Sequence, residues 1–354
     1  MKKVLLVMAA LALLAGGYYL ASSHTDAAQA SSIPNLTGIA FISGEGGHIA
    51  LVNLANWKSP TNLQNDRIAI TEAGSEMEGV VAGLHISKSR GGGGMHSCAL
   101  IPGDRLVVSM LDGNVVEYNL KTGVKSRQMH VGNKFCDAVM GPNGKHIYFT
   151  DMADGHVYEW DWKTMKLVDK IPVGAGVCAI GWTKDQKYAY VSDMPAGTID
   201  VIDWKTKKIV KKITDPQMTF VHQGHMTPDG SQFWVTAPNE FDPGLKPPTH
   251  KSQIVIISTK TNKVIDHILM PANRYPHDLT FTPDGKWVLI PARTYQKDSR
   301  LMLMNAKTHE IVRDISVCES CHDAYGIQIR MNEGHPNLCG ITVAWGMKHK
   351  PRTF

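Results

Sequence analysis

Residues 277–292 read HDLTFTPDGKWVLIPA. A short alternating run leads into a Thr-Pro-Asp-Gly turn, and a β-rich apolar run follows. Taken alone, that is a hairpin. The stretch decides the fold because it recurs. HQGHMTPDGSQFWVTA starts at His222, CAIGWTKDQKYAYVSD at Cys178, CDAVMGPNGKHIYFTD at Cys136 and HSCALIPGDRLVVSML at His96, and HDAYGIQIRMNEG fits more loosely from His322. The starting positions are 40, 42, 44, 55 and 45 residues apart, and self-similarity at such a period marks a repeat architecture.

Each unit continues in the same way. After the second strand a Gly-containing turn precedes a third strand (HVYEWDW, TIDVIDW, SQIVIIS), and a Lys-Thr turn precedes a fourth (KLVDKIPV, KIVKKIT, KVIDHIL). Four antiparallel strands per unit describe a propeller blade, and no helical periodicity appears beyond the N-terminal segment. The expected fold is all-β: a β-propeller, with residues 31–354 as a single domain of four-stranded blades, counted as seven, with six or eight as the alternatives. At the N-terminal side, GIAFISGEGGHIALVNL and RIAIT look like later strands of a blade, whereas CGITVAW near the C-terminus looks like an early one. Joined in one blade, they would close the ring and remove two sheet edges.

The units PHDLTFTPDG and KTNKVI resemble the YVTN-type propeller repeat of exported bacterial and archaeal proteins, and the resemblance spans most of residues 38–345. It implies the fold and leaves the chemistry open. The same architecture serves the d1-haem domain of haem nitrite reductases, their maturation proteins, the copper domain of nitrous oxide reductase and amine dehydrogenase subunits.

The repeat alignment exposes a candidate site. In a propeller the first strand of each blade lines the central channel, and its opening residue sits where the channel meets one face. Those residues are His96, Cys136, Cys178, His222, His277 and His322, with Cys98 and His225 close behind. Met110, Met152 and Met194 recur in the connections between second and third strands, on the same face. His, Cys and Met together are the soft and borderline donors that hold haem iron and copper. A single such residue would pack the channel; a complete ring of His and Cys points to a metal or cofactor. Placed as ligand types around that axis, the cysteines are not expected to pair as disulfides. Asp137, Asp278 and Asp323 follow ring positions and are expected to hydrogen-bond neighbouring strands or ring imidazoles.

Residues 318–322, CESCH, form C-x-x-C-H, the pattern that attaches haem c through Cys318 and Cys321 with His322 as axial ligand. A thiolate metal site and a Cys318–Cys321 disulfide use the same letters, and the motif precedes a strand rather than opening a helix. If haem is present, its second axial ligand comes from His96, His222, His225, His277 or a loop Met.

Composition sets the outer bounds. The chain has 354 residues, 43% hydrophobic and 19% charged, with eight Trp and 32 Gly, as a globular protein does. A net charge of +5 is spread over turn lysines with no basic stripe, which argues against nucleic acid as a partner. At the N-terminus, MKK precedes an apolar run and a small-x-small site at Ala28-Gln29-Ala30, so residues 1–30 read as an export signal. An apolar run of about 18 residues also suits an uncleaved anchor. Either way the domain is expected in the periplasm or otherwise outside the cytoplasm. The Gly-rich stretch 89–96 lacks the Lys and helix of a phosphate loop. Two long connections, 238–252 and 292–300, are expected on the ring face, where Arg293, Tyr295 and His250 could reach a bound anion. The functional expectation is an exported redox propeller carrying haem c, with a redox partner protein or a small-molecule substrate. The alternatives are a propeller binding a non-covalent d1-type haem or copper through the His/Cys/Met ring, or a metal-free interaction scaffold.

Overall fold

The computed structural model describes residues 34, 36, 38–44, 48–54, 57, 67–72, 79–81, 84–86, 95–119, 125–238, 251–293, 300–316 and 338–345. The export segment 1–30, the C-x-x-C-H motif with His322 and Asp323, the connection 239–250 with His250, and Tyr295 lie outside them.

Every regular element among the described residues is a strand. Strands β1 (Gly38–Gly44), β2 (His48–Asn53) and β3 (Arg67–Glu72) are followed by a short pair, β4 (Gly79–Val81) and β5 (Leu84–Ile86). Three regular units come next: β6 (Met95–Ile101) to β9 (Lys125–His130), β10 (Phe135–Met140) to β13 (Lys166–Pro172), and β14 (Val177–Trp182) to β17 (Lys208–Thr214). The fourth runs from β18 (Gly224–Met226) through β19 (Gln232–Ala237) and β20 (Gln253–Ser258) to β21 (Lys263–Leu269). In the fifth the inner strand is split into β22 (Tyr275–Pro276) and β23 (Thr280–Phe281), both pairing β24 (Trp287–Arg293) ahead of β25 (Arg300–Asn305) and β26 (Ile311–Ser316). The last strand, β27 (Leu338–Trp345), pairs antiparallel with β1, so that one sheet has the order β27-β1-β2-β3.

The sheets form a propeller. Innermost strands of successive sheets touch in the sequence β6, β10, β14, β18, β23, β27 and back to β6, which wraps the sheets around a common channel. The expected closure is present, with the C-terminal strand as the inner member of the N-terminal sheet. The expected count of seven four-stranded blades is corrected: the described residues hold five sheets of four strands, one of five and the β4–β5 pair. The unit expected from His322 falls outside the described residues.

Packing follows the repeat. In the units from β6 to β26 the second and third strands, such as β19 and β20, are almost wholly buried on both faces, because each sheet is covered by a neighbour on either side. Apolar clusters lie between neighbouring sheets, such as Tyr190, Val201, Phe233 and Val255, or Trp234, Ile254, Leu279 and Met302. Outer strands face solvent and carry Lys, which protects their unpaired edges. In three units the first turn is held by its own side chains. Thr183, Thr227 and Thr282 donate to Asp185, Asp229 and Asp284 at 2.6, 2.6 and 2.7 Å. The same aspartates accept backbone N–H groups further round the turn, a local substitute for the ladder.

Candidate metal centre

The ring residues sit where the inner strands leave their ladders. His96 is the extra residue between the Met95–Met110 and Ser97–Ser109 pairs, and Cys136 is the extra residue between Phe135–Asp151 and Asp137–Thr150. Cys178 and Ala179 fall in the same kind of irregularity between Val177–Asp193 and Ile180–Val191. His222 precedes β18, and His277 lies in the break between β22 and β23. A bulge re-aims the side chain of the extra residue. Here the repeated irregularity turns the opening residue of each unit towards the axis.

Five predicted ring residues therefore meet. His96, Cys136, Cys178, His222 and His277 are all buried. The rings of His96 and His222 lie 5.4 Å apart and those of His222 and His277 4.5 Å apart. One donor atom from each of His96, Cys136 and His222 falls within 4.8 Å of the others, a spacing that could hold a metal ion. Cys136 Sγ is 4.0 Å from His96 Nε2.

Backbone carbonyls orient two of the imidazoles. His96 Nδ1 lies 2.5 Å from the carbonyl oxygen of Cys136, and His222 Nδ1 lies 2.9 Å from that of His277. A carbonyl only accepts, so each Nδ1 carries a proton, which leaves Nε2 as the ring atom that could ligate a metal. That is the tautomer of a metal ligand held by an outer hydrogen bond. His222 is held neutral, its pKa pushed well below the ordinary imidazole value by burial first and then by His277 and His96.

Hydroxyls on the second strands grip three of the ring residues' own carbonyls. Thr150 Oγ1 donates to Cys178 O at 3.2 Å, Ser192 Oγ to His222 O at 2.7 Å and Thr236 Oγ1 to His277 O at 3.0 Å. Each hydroxyl sits at the same place on the second strand of one unit and grips the ring residue of the next. These three residues were missed from sequence, although the recurring Ser/Thr in YFTD, YVSD and WVTA was there to be read.

A polar layer lies beside the ring. Asp137 accepts from Ser97 Oγ at 2.9 Å and from Gln223 Nε2 at 3.2 Å, while its Oδ2 is buried without a hydrogen-bond partner. Burial, and then the nearby Asp278, push its pKa up to about 6. His225 Nε2 contacts Asp278 Oδ1 at 3.2 Å. Burial works against the charge of that imidazole, but Asp278 and Asp137 outweigh it and raise its pKa. His225 thus belongs to a carboxylate pair and not to the three-donor cluster. A cavity of about 90 Å³, lined in part by Ser97, Asp137, His225 and Thr280, adjoins this layer. A larger cavity of about 770 Å³ lies among the turn residues around Asp229, Asp284 and Trp287 and includes no ring residue.

The expectation that the cysteines stay unpaired is corrected. Cys136 and Cys178 form a disulfide across neighbouring inner strands, with Cα atoms 4.9 Å apart. Their adjacency in the ring brings this about, since consecutive opening residues face each other. Cys98 is buried on β6. Met110 ends β7 (Arg105–Met110) and is buried, and Met152 and Met194 sit in the corresponding turns; the backbone of both is hydrogen-bonded to Gly176, in the lead-in to Cys178. Arg293 ends β24.

No family model matches the chain, and no curated protein matches it. Among solved structures it is similar to the hydrazine synthase of Kuenenia stuttgartiensis, at 18% identity and a TM-score of 0.50. That match covers 60% of this chain and 63% of the other, and at such identity the likeness is one of fold.

Proposed function

We propose that the protein is an exported redox propeller that binds a soft or borderline transition metal at the mouth of its channel. The ligands are Nε2 of His96, Nε2 of His222 and the thiolate of Cys136. One observation carries the reading: three buried donors from three different sheets converge within 4.8 Å. Two imidazoles and a thiolate suit copper, whose redox chemistry fits the ligand set. Three protein ligands leave a coordination position for His277, for a small-molecule substrate or for electron exchange with a partner protein at the channel mouth.

The test is metal loading of the reduced, exported chain under anaerobic conditions, followed by elemental analysis and X-ray absorption. One copper per chain, with sulfur and nitrogen scatterers, is expected, and His96→Ala and His222→Ala should each weaken binding by more than about 100-fold. Loading that is substoichiometric and indifferent to both substitutions would remove this reading. The same imidazoles could ligate the iron of a non-covalent d1-type haem, which visible absorption of protein isolated from its host would reveal.

A second reading rests on a separate observation, the C-x-x-C-H motif. It gives the protein a covalent haem c on Cys318 and Cys321, with His322 as axial ligand, acting in electron transfer. The chain produced with a cytochrome c maturation system and run on a denaturing gel should stain for haem, and Cys318→Ala or Cys321→Ala should abolish the stain. A colourless band from the wild type would end the haem c reading and leave the ring site unaffected.

A further inference from the structure

We infer that Cys178 is a redox gate on the metal centre: a disulfide with Cys136 withdraws the thiolate ligand, and reduction restores it. The inference rests on the metal reading above and adds its regulation. Cys136 belongs to two incompatible sets. It supplies the only sulfur of the three-donor cluster, and it is the partner of Cys178 in the disulfide. A thiolate is a strong metal ligand, whereas a disulfide sulfur has given up the charge that makes it one. Cys178 is absent from the three-donor cluster, so its sulfur is available to pair with Cys136.

The geometry allows the change without rebuilding the fold. Both cysteines are fully buried on the inner strands β10 and β14 of neighbouring sheets. A single side chain ties their backbones together. Asp137 N donates to Thr150 Oγ1 at 2.8 Å, and Thr150 Oγ1 donates to Cys178 O at 3.2 Å, so one threonine holds both inner strands. The Cα separation of 4.9 Å is fixed by those strands and lies within the span of a disulfide. His96 and His222 are anchored to backbone carbonyls, of Cys136 and His277, that take no part in the sulfur chemistry.

The oxidant is a low-molecular-weight disulfide of the exported compartment, and because both sulfurs are fully buried it reaches them through transient local opening of the inner strands. The Cys136 thiolate attacks one sulfur of that disulfide and expels a thiolate, which takes up a proton from solvent. The Cys178 thiolate then attacks Cys136 Sγ in the mixed disulfide and expels the second thiol. Two protein thiols become one disulfide, one small disulfide becomes two thiols, and the two electrons pass from the former to the latter. With Cys136 oxidised, only the two imidazoles would be left to hold the metal, a weaker site.

The experiment compares Cu(I) affinity, by competition with a chromophoric chelator under anaerobic conditions, in full-length protein after reduction and after equilibration with glutathione disulfide. Alkylation and mass measurement count the thiols in each sample. The reduced wild type should bind more tightly by over about 100-fold, and peptide mapping of the alkylated oxidised sample should show the Cys136 and Cys178 thiols lost. Cys178→Ala, purified without reductant, should match the reduced wild type, and Cys178→Ser serves the same purpose if the alanine variant is unstable. Cys136→Ala should bind weakly under both conditions. Equal affinity of reduced and oxidised wild type, or two thiols at Cys136 and Cys178 that survive glutathione disulfide, would overturn the gate and leave the metal centre standing. Failure of the reduced wild type and of the Cys178 variants to bind Cu(I) would instead remove the metal centre itself.

Discussion

His222 and Asp137 are neighbours in the channel with opposite habits. Burial forces the imidazole of His222 to stay neutral where an exposed one would protonate, and it keeps the carboxyl of Asp137 protonated where an exposed one would ionise. The two therefore pull the stability of the metal-free protein in opposite directions. As pH falls below about 6.5 the unfolded chain gains a proton at residue 222 that the folded chain refuses, so His222 makes folding less favourable. For Asp137 the folded pKa of about 6 exceeds the ordinary 3.8, so its contribution is present in acid and is lost as pH rises through 6. His222→Gln should flatten the acid loss of stability, and Asp137→Asn should steepen it. Urea midpoints at pH 7 and pH 5 measure both, and the Asp137 effect over that interval amounts to about 1 kcal/mol. Shifts of the same sign in the two variants would show that one of these assignments is wrong. The ring residues themselves were legible in sequence because the repeat fixes which position opens each inner strand. Their tautomers, the hydroxyl grips of Thr150, Ser192 and Thr236, and the Cys136–Cys178 bond were not, since each depends on a partner one sheet away.

At the scale of elements, the turns on the ring face set the positions of the inner strands. The carbonyl of Gly155, in the turn between β11 (His146–Asp151) and β12 (His156–Asp161), accepts the N–H groups of Val173 and Gly174, both at 3.0 Å. Those residues lead into β14 and Cys178, so this turn steers a ring residue. Gly155 has φ +71°, and a Cβ there would come within 2.6 Å of the Gly174 carbonyl oxygen. Gly144, in the Pro-Asn-Gly turn at the opposite end of β11, shares the positive φ at +64° but has open space around it. Both would resist a side chain by their backbone conformation, costing about 1 kcal/mol, and only Gly155 adds a backbone collision. Gly155→Ala should therefore cost about 3 kcal/mol and Gly144→Ala about 1 kcal/mol in thermal or urea unfolding. Only the Gly155 variant should slow closure of the Cys136–Cys178 bond during oxidative refolding, followed by alkylation. Equal costs would mean that the turn does not bear on the strand. Strands and turns were readable from alternation and from Pro-Asp-Gly chemistry. The bulges that turn His96 and Cys136 to the axis were not, because a single extra residue leaves the alternation of an all-buried inner strand unchanged.

The whole molecule depends on closure between its two ends. Unequal ends of the repeat array, later strands at the start and an early strand at the finish, made the shared sheet legible in the amino-acid sequence. The count of blades was less legible, because a loosely fitting unit such as 322–334 matches the template in its first strands alone, and because the sheet beginning at β22 breaks its inner strand in two. Strand β27 pairs with β1 from Gly38–Trp345 to Gly44–Leu338, and on the channel side it touches β6 and β24. It is thus an inner strand with a neighbour on each side of the ring, unlike the Lys-bearing outer strands, which cover nothing beyond themselves. A chain ending at residue 337 would expose the edge of β1 and open the ring between β6 and β24. Each remaining sheet packs against its neighbours, so the loss should propagate around the ring instead of staying local, and it is expected to be comparable with the whole stability of a domain, about 5–15 kcal/mol. The truncated chain should lack a cooperative thermal transition and should aggregate through its open edge. A synthetic peptide of residues 338–354 should restore the transition in a concentration-dependent manner, because it re-adds a strand by main-chain pairing. Truncated protein that melts cooperatively at the temperature of the full chain, with no response to peptide, would show that the ring is held shut without β27.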